Sequence, residues 1–302
     1  VEQDTAGVLA PMGRRRTSWW KDRVVRSDVE PRSGPSVEPG VEEEKAVAEF
    51  TEYLPGTPAW VDLSSPDIEA SKNFYSSLFG WEAEDLGPDA GGYCMLKLRG
   101  RYVAGLGPVQ GEGQPPAWGT YVSVADADAT IAAVKKAGGT VLMEPMDVFE
   151  AGRMAVFADP TGAVLSVWQP GNHAGSQLAN EPGAFSWNEL NTRDPAAAKT
   201  FYSAVFGWEP EDHAMGPATY TEWKLDGRSI GGMMDMNPNV PAQVPPHWLV
   251  YFTVEDTDAA VATITANGGS ILVGPFDISR GRFAVAADPQ GAAFAVFAMS
   301  QT

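Results

Sequence analysis

Residues 74–81 read FYSSLFGW, and residues 201–208 read FYSAVFGW. Six of the eight letters agree at a spacing of 127 in a chain of 302 residues. The match continues on both sides. PAWVDLSSPDIEASKNFYSSLFGW aligns with GAFSWNELNTRDPAAAKTFYSAVFGW, which sets Trp60 on Trp187, Asp62 on Glu189 and Asp67 on Asp194. Downstream, YCMLKLRGRYVAGL from Tyr93 matches YTEWKLDGRSIGGM from Tyr220, with Lys97 on Lys224. PPAWGTYVSVADADATIAAVKKAGGTVL then matches PPHWLVYFTVEDTDAAVATITANGGSIL, and GRMAVFADPTGAVLSVW matches GRFAVAADPQGAAFAVF. A repeat of this length marks two copies of one folding unit. The units span 57–170 and 184–300, joined over 171–183 by a Gly-, Asn- and Ser-bearing linker.

Each unit has an internal order of its own. AWVDLS alternates as a half-buried strand does. Ser-Pro-Asp then opens a helix in which Ile68, Phe74, Tyr75, Leu78 and Phe79 form the apolar stripe, and Gly80 closes it. The strands YCMLKL and YVAGLGPV follow. A second round gives strand TYVSV, helix DADATIAAVKKA, and strands TVLMEP, RMAVFAD and AVLSVWQ. DPTG and DPQG read as turns, with Pro presetting φ and Gly taking the left-handed position. Each unit therefore reads βαβββ–βαβββ, and the chain holds four such modules. On this reading the doubled phrase is structural: aromatic anchors followed by a helix stop.

Composition bounds the function. The net charge is −18, and 44% of the residues are hydrophobic. The first 50 residues carry 8 Lys+Arg against 10 Asp+Glu, so the rest of the chain carries 13 against 29. An acidic surface opposes binding to nucleic acid or anionic lipid. No run of 18 apolar residues is present, which predicts no membrane span. The arginines near the N-terminus precede no apolar stretch of the kind a secretory signal needs. One cysteine, Cys94, forms no internal disulfide, which fits a reducing, cytoplasmic setting. Residues 1–56 are polar and aperiodic. They read as a disordered extension, or as a basic-aromatic arm (Arg14 to Arg26, with Trp19 and Trp20) that docks on a partner or on the protein itself.

The early D-x-x-x-(A/S)-x-x-F-Y-x-x-x-F-G-W pattern and the later D-P-x-G resemble the vicinal oxygen chelate superfamily of glyoxalases, bleomycin resistance proteins and extradiol dioxygenases. The resemblance covers both repeats and is greatest to tandem glyoxalase-like proteins of actinobacteria, often labelled as hydroxylases. It implies an α+β fold: tandem glyoxalase-like domains, four βαβββ modules forming two U-shaped mixed sheets, an intramolecular pseudo-dimer. In that family a divalent metal in the U chelates two oxygens of the substrate and acts as a Lewis acid.

The ligand positions implied by the resemblance hold unsuitable residues here. They fall on Trp60 and Trp187, Lys97 and Lys224, Gly119 and Leu249, and Ser166 and Ala295. An indole has no free lone pair, and an ammonium repels a cation. Of the three histidines, His173 lies in the linker, His213 in a turn after the helix, and His247 at a strand start. No metal and no cofactor are therefore expected. The remaining enzymatic option is an unorthodox site around Glu189 and His247. Cys94 faces Thr221 in the other repeat, so a nucleophilic cysteine is not indicated, and GRSIGG leads into no helix that would make it a phosphate loop.

What replaces the ligands points to a lined pocket. Trp60, Tyr93, Trp118 and Tyr121, with Trp187, Tyr220, Trp248 and Tyr251, are expected on inner strand faces. Asp62, Glu189 and His247 supply polar anchors, and Lys97, Lys224, Arg153 and Arg282 supply positive charge. Aromatic walls with a few polar anchors suit a flat aromatic ligand. Three functions follow: a metal-independent small-molecule binder, a lyase, isomerase, dioxygenase or hydroxylase with an unorthodox site, and an interaction scaffold with vestigial pockets. The expected partner is a small molecule, and the expected state is a monomer with an internal pseudo-dimer, or a weak homodimer. The pairs Cys94/Thr221, Ala117/His247 and Ser166/Ala295 indicate that the two cavities have diverged.

Overall fold

The computed structural model describes residues 49–111, 113–215, 218–236 and 240–300. The first repeat runs β1 (Pro58–Ser65), α1 (Ile68–Phe79), β2 (Glu82–Asp85), β3 (Cys94–Leu98), β4 (Arg101–Pro108), β5 (Ala117–Ser123), α2 (Ala127–Lys136), β6 (Thr140–Val148), β7 (Gly152–Ala158) and β8 (Val164–Pro170). The second runs β9 (Phe185–Thr192), α3 (Pro195–Phe206), β10 (Glu209–Met215), β11 (Ala218–Leu225), β12 (Arg228–Asp235), β13 (His247–Thr253), α4 (Thr257–Ala266), β14 (Ser270–Ile278), β15 (Gly281–Ala287) and β16 (Ala293–Met299). The strands form two eight-stranded mixed sheets, ordered β2-β3-β4-β1-β5-β8-β7-β6 and β10-β11-β12-β9-β13-β16-β15-β14. The α+β, doubly repeated fold is the one the resemblance implied. Strands β2 and β10 escaped the alternation because they are edge strands with almost wholly exposed, polar residues. His213 consequently lies in β10 and not in a turn.

The helix signals act as read. Asp67 and Asp194 cap α1 and α3 by accepting from the backbone N–H three residues on. Gly80 and Gly207 end these helices in the left-handed region, at φ 71°.

The core is shared between the repeats. Phe74, Tyr75, Phe79 and Trp81 of the first repeat pack with Val250, Phe252, Ile264 and Phe294 of the second. Reciprocally, Phe201, Tyr202 and Trp208 pack with Val122, Ile131, Phe157 and Leu165. Helix α1 thus meets α4, and α2 meets α3. The two sequence signatures also touch across this interface. Tyr75 Oη donates to Asp288 Oδ2 at 3.1 Å and Tyr202 Oη to Asp159 Oδ2 at 2.9 Å. Asp159 and Asp288 are the acids of the two D-P-x-G turns, whose other oxygens accept from turn N–H groups. Trp81 Nε1 donates to Gly183 O, and Trp208 Nε1 to Gly56 O, both at 2.7 Å. Each doubled aromatic phrase therefore holds the other half.

Residues 49–56 dock on the linker and on the first repeat. Phe50 N donates to Gln177 O, Tyr53 Oη to Ser176 O, and Gly56 N to Ser123 O. The basic-aromatic arm at 14–26 lies outside the described residues. Among the described residues no helix is long and apolar enough to cross a membrane.

Candidate functional site

Alternation along β1 separates two chemistries. Ala59, Val61 and Leu63 are buried toward the shared core, whereas Trp60 and Asp62 face the hollow of the sheet. There Asp62 Oδ2 accepts from Tyr121 Oη at 2.9 Å and from Tyr93 Oη at 3.3 Å. Trp60 Nε1 donates to Tyr93 Oη at 3.3 Å. Met95 and Trp168 are buried beside them, and Tyr102 and Met154 pack around. Burial pushes the Asp62 carboxyl up to about 6, with the two phenols opposing part of that rise.

The second sheet repeats the cluster. Glu189 Oε1 accepts from Tyr251 Oη at 3.1 Å and lies 3.4 Å from Asn191 Nδ2. Trp187 Nε1 donates to Tyr220 Oη at 2.8 Å. Burial pushes Glu189 up to about 7, and hydrogen bonds from Tyr251, Tyr220 and Asn191 moderate the rise. Glycines make this geometry possible. A Cβ on Gly105 would stand 1.8 Å from Tyr93 Oη, and one on Gly232 would stand 1.9 Å from Tyr220 Oη. These glycines let the phenol cross the strand to the acid.

Several expected lining residues lie elsewhere. Trp118 and Trp248 point into the shared core, where their indoles donate to Tyr75 Oη and Tyr202 Oη at 2.9 Å. Each is three residues from a hollow-facing tyrosine, and an odd spacing in a strand means opposite faces. Arg153 and Arg282 also face outward. Each clamps a helix acid and a neighbouring strand acid, Asp128 with Asp147 and Asp258 with Asp277. Lys97 and Lys224 flank the hollow two strands from β1 and β9, already paired. Lys97 Nζ holds Glu84 at 2.6 Å, and Lys224 Nζ holds Glu222 at 3.3 Å and Glu211 at 3.5 Å. His247 pairs in register with Asn191, not Glu189, and its Nδ1 lies on Pro245 O, so the expected Glu189–His247 pair is not formed.

Sequence reasoning passed over other residues. His173 of the linker stands edge-on to Trp60, with ring centroids 4.6 Å apart, and Trp168 Nε1 donates to His173 O at 2.8 Å. Gly171 N and His173 N donate to Ala151 O, and Ser176 N to Ala59 O, so the linker closes one end of the first hollow. Burial brings the His173 imidazole down to about 4, which keeps it neutral. Nothing local marked this histidine. Trp168 was legible, two residues from Ser166 on the same strand face. In the second sheet Glu222 replaces Met95 and is held by His213 Nε2 at 3.2 Å. Cys94 is buried and donates to Asp85 at 2.9 Å, and burial pushes its thiol up to about 11, which suits a structural residue.

The donors do not fit a divalent ion of the glyoxalase kind. Each hollow centres on one carboxyl group shared with phenols, and Gly119, Ser166, Leu249 and Ala295 supply neither imidazole nor carboxylate. Among the described residues no three His, Cys, Asp or Glu side chains converge on a point that could hold a metal ion.

Comparison with known proteins places this geometry in a lineage. Residues 57–167 and 184–296 each match the Glyoxalase/Bleomycin resistance protein/Dioxygenase superfamily. A Mycobacterium tuberculosis protein provisionally named glyoxylase CFP32 is 45% identical over 253 residues, covering 82% of this chain and 96% of its own. The anthracycline biosynthesis protein DnrV of Streptomyces peucetius is 41% identical over 262 residues, covering 82% and 94%. Among solved structures, the Mn(II)-bound glyoxalase of Novosphingobium aromaticivorans superposes with a TM-score of 0.58 at 18% identity, covering 81% of this chain and 82% of its own. The 2,3-dioxygenase LapB of Pseudomonas sp. KL28 gives 0.57 at 15% identity, covering 81% and 92%. At such identities the structures share the fold alone.

Proposed function

The chain belongs to the Glyoxalase/Bleomycin resistance protein/Dioxygenase superfamily, and from that premise we propose a small-molecule binding protein that works without the family's usual metal. Its ligand is a flat aromatic compound bearing hydroxyl or carbonyl oxygens. One observation carries this reading: the hollow of each sheet centres on a carboxyl group hydrogen-bonded to phenols and flanked by an indole, where a chelating set would otherwise converge. A protonated carboxyl group donates to a quinone or phenol oxygen, the phenol oxygens accept from a ligand hydroxyl, and ring faces supply roughly 0.5–1.5 kcal/mol per contact beyond area burial. The relatives named for anthracycline biosynthesis favour the same ligand class, because anthracyclines are fused-ring hydroxyquinones.

The test is titration of the purified chain with 1,2-dihydroxyanthraquinone, read by tryptophan fluorescence, with and without Zn, Mn, Ni or Fe(II). Saturable quenching that is indifferent to metal supports the reading. Binding that requires a metal, together with about one metal held per chain by elemental analysis, would overturn it.

A second reading is an enzyme that transfers protons without a metal. Near neutrality the Glu189 carboxyl group at about 7 is shared between its two forms, as a general acid is, and the Asp62 carboxyl group at about 6 is largely ionised, as a general base is. Incubation with an aryl ketone in D2O would place deuterium at the α-carbon. The double variant Asp62→Asn, Glu189→Gln would abolish that exchange, and exchange persisting in it would sink the idea.

A further inference from the structure

The two hollows are not equivalent, and one of their differences is concentrated at a single corner. In the first sheet the cross-strand pairs of β1 and β5 are Asp62 with Gly119 and Ser64 with Ala117. In the second sheet the corresponding pairs are Glu189 with Leu249 and Asn191 with His247. All four positions carry a larger side chain in the second sheet. Next to them Gly107, which pairs with Ser64, is replaced by Met234, and Met154 by Phe283.

At the acid and at the position facing it, exposure follows volume. Asp62, Ser64 and Gly119 keep partial contact with solvent, and Ala117 is exposed. Glu189 is only 7% exposed and Leu249 only 5%. Glu189 accepts from Tyr251 and Asn191 through Oε1, as Asp62 accepts from its two phenols through Oδ2, and the neighbours of the remaining oxygen differ. Asp62 uses Oδ2 for both phenols, while its Oδ1 has no hydrogen-bond partner among the described residues. Oδ1 lies over Gly119, where a Cβ would stand 3.0 Å away. In the second sheet Asn191 adds a contact to Glu189, and leucine occupies the glycine position. At the far end of the first hollow, His173 and the linker form a fixed wall against Trp60 and Trp168. Solvent therefore reaches the first sheet's acid from the side of the Ser64–Ala117 corner, where the side chains are small.

We infer that ligand binds in the first sheet alone, one molecule per chain, with Asp62 Oδ1 and the Tyr93 and Tyr121 hydroxyls meeting a phenol or quinone oxygen. In the second sheet the same corner is occupied by Leu249, Asn191 and His247, and the role of that sheet is to complete the shared core. This assignment rests on the aromatic-ligand reading above, but half of its test does not.

Calorimetric titration of the full chain with 1,2-dihydroxyanthraquinone gives a stoichiometry of one. Gly119→Leu, which copies the second sheet's corner into the first, weakens binding by at least about tenfold, as does Asp62→Ala. The leucine already tolerated at 249 is the precedent for folding, and the melting temperature checks it. Two molecules per chain, or binding that survives both variants, overturns the assignment. The ligand-free arm couples surface carboxyl groups to glycine ethyl ester with a carbodiimide at about pH 5 and maps the products by mass spectrometry. Asp62 reacts at least about tenfold faster than Glu189, in keeping with its access to solvent. Equal rates overturn the assignment even if no anthraquinone binds. Absence of anthraquinone binding with selective Asp62 labelling overturns only the ligand class.

Discussion

At the scale of single residues, the buried acids govern how stability responds to pH. Glu189 is raised from an ordinary 4.5 to about 7 by burial, so the folded state prefers its protonated form. Its contribution is complete below about 4.5 and is lost as pH rises through about 7. The shift corresponds to roughly 3 kcal/mol at most. Glu189→Gln, which cannot ionise, should flatten the fall in urea midpoint between pH 4.5 and pH 8 relative to the unaltered chain. An identical fall in both proteins would show that the acid is not held protonated. Gly232 gives a second prediction. A methyl group there would meet Tyr220 Oη at 1.9 Å and Trp187 Nε1 at 2.9 Å, so Gly232→Ala should cost about 1–3 kcal/mol of stability. An unchanged denaturation midpoint would mean that the tyrosine does not cross the strand. The acids and phenols were legible as matched pairs in the repeat. Their mutual contact was not, because Asp62 and Tyr93 are 31 residues apart and meet only when β3, β4 and β1 lie side by side.

Elements couple through the aromatic phrase. The Tyr75 hydroxyl accepts from the Trp118 indole and donates to Asp288, so three elements from two repeats share one atom. Tyr75→Phe removes that atom and leaves the buried Trp118 N–H unpaired. The expected loss is about 1–3 kcal/mol, read by thermal or urea denaturation, and Tyr202→Phe should lose a similar amount. A loss under about 0.5 kcal/mol in both would mean that the network is not a stabilising one. Helix limits and caps could be read locally because Asp67, Gly80, Asp194 and Gly207 act within a few residues of themselves. Strand β2 could not, because an exposed edge segment such as Glu-Ala-Glu-Asp carries no apolar alternation. The face of a side chain was partly legible. The odd spacing of Trp118 and Tyr121 ruled out a shared face, and so did that of Arg153 and Met154.

Across the whole molecule, the two large cores are shared between the repeats, and only the smaller cluster around Trp60 belongs to one repeat alone. Trp208 and Tyr75, fully buried in the shared cores, would face water in an isolated half. Segments 49–183 and 184–300 made separately should bind a hydrophobic dye and aggregate, and on mixing should form a 1:1 complex with reduced dye binding. Two separately stable, dye-silent halves in an ultracentrifuge would contradict the shared core. The sequence by itself determined the duplication, the module order, the helix caps, the family and the pairing of Asp62 with Glu189, because each rests on local chemistry or on comparing one repeat with the other. Only the tertiary structure decided that the doubled phrase grips the opposite half. The same is true of Trp118 and Trp248 serving that grip and of His173 closing the first hollow. The corner at Gly119 was also its decision. Faces, volumes and exposure arise when distant strands are brought into register, and a linear order of residues does not carry that registration.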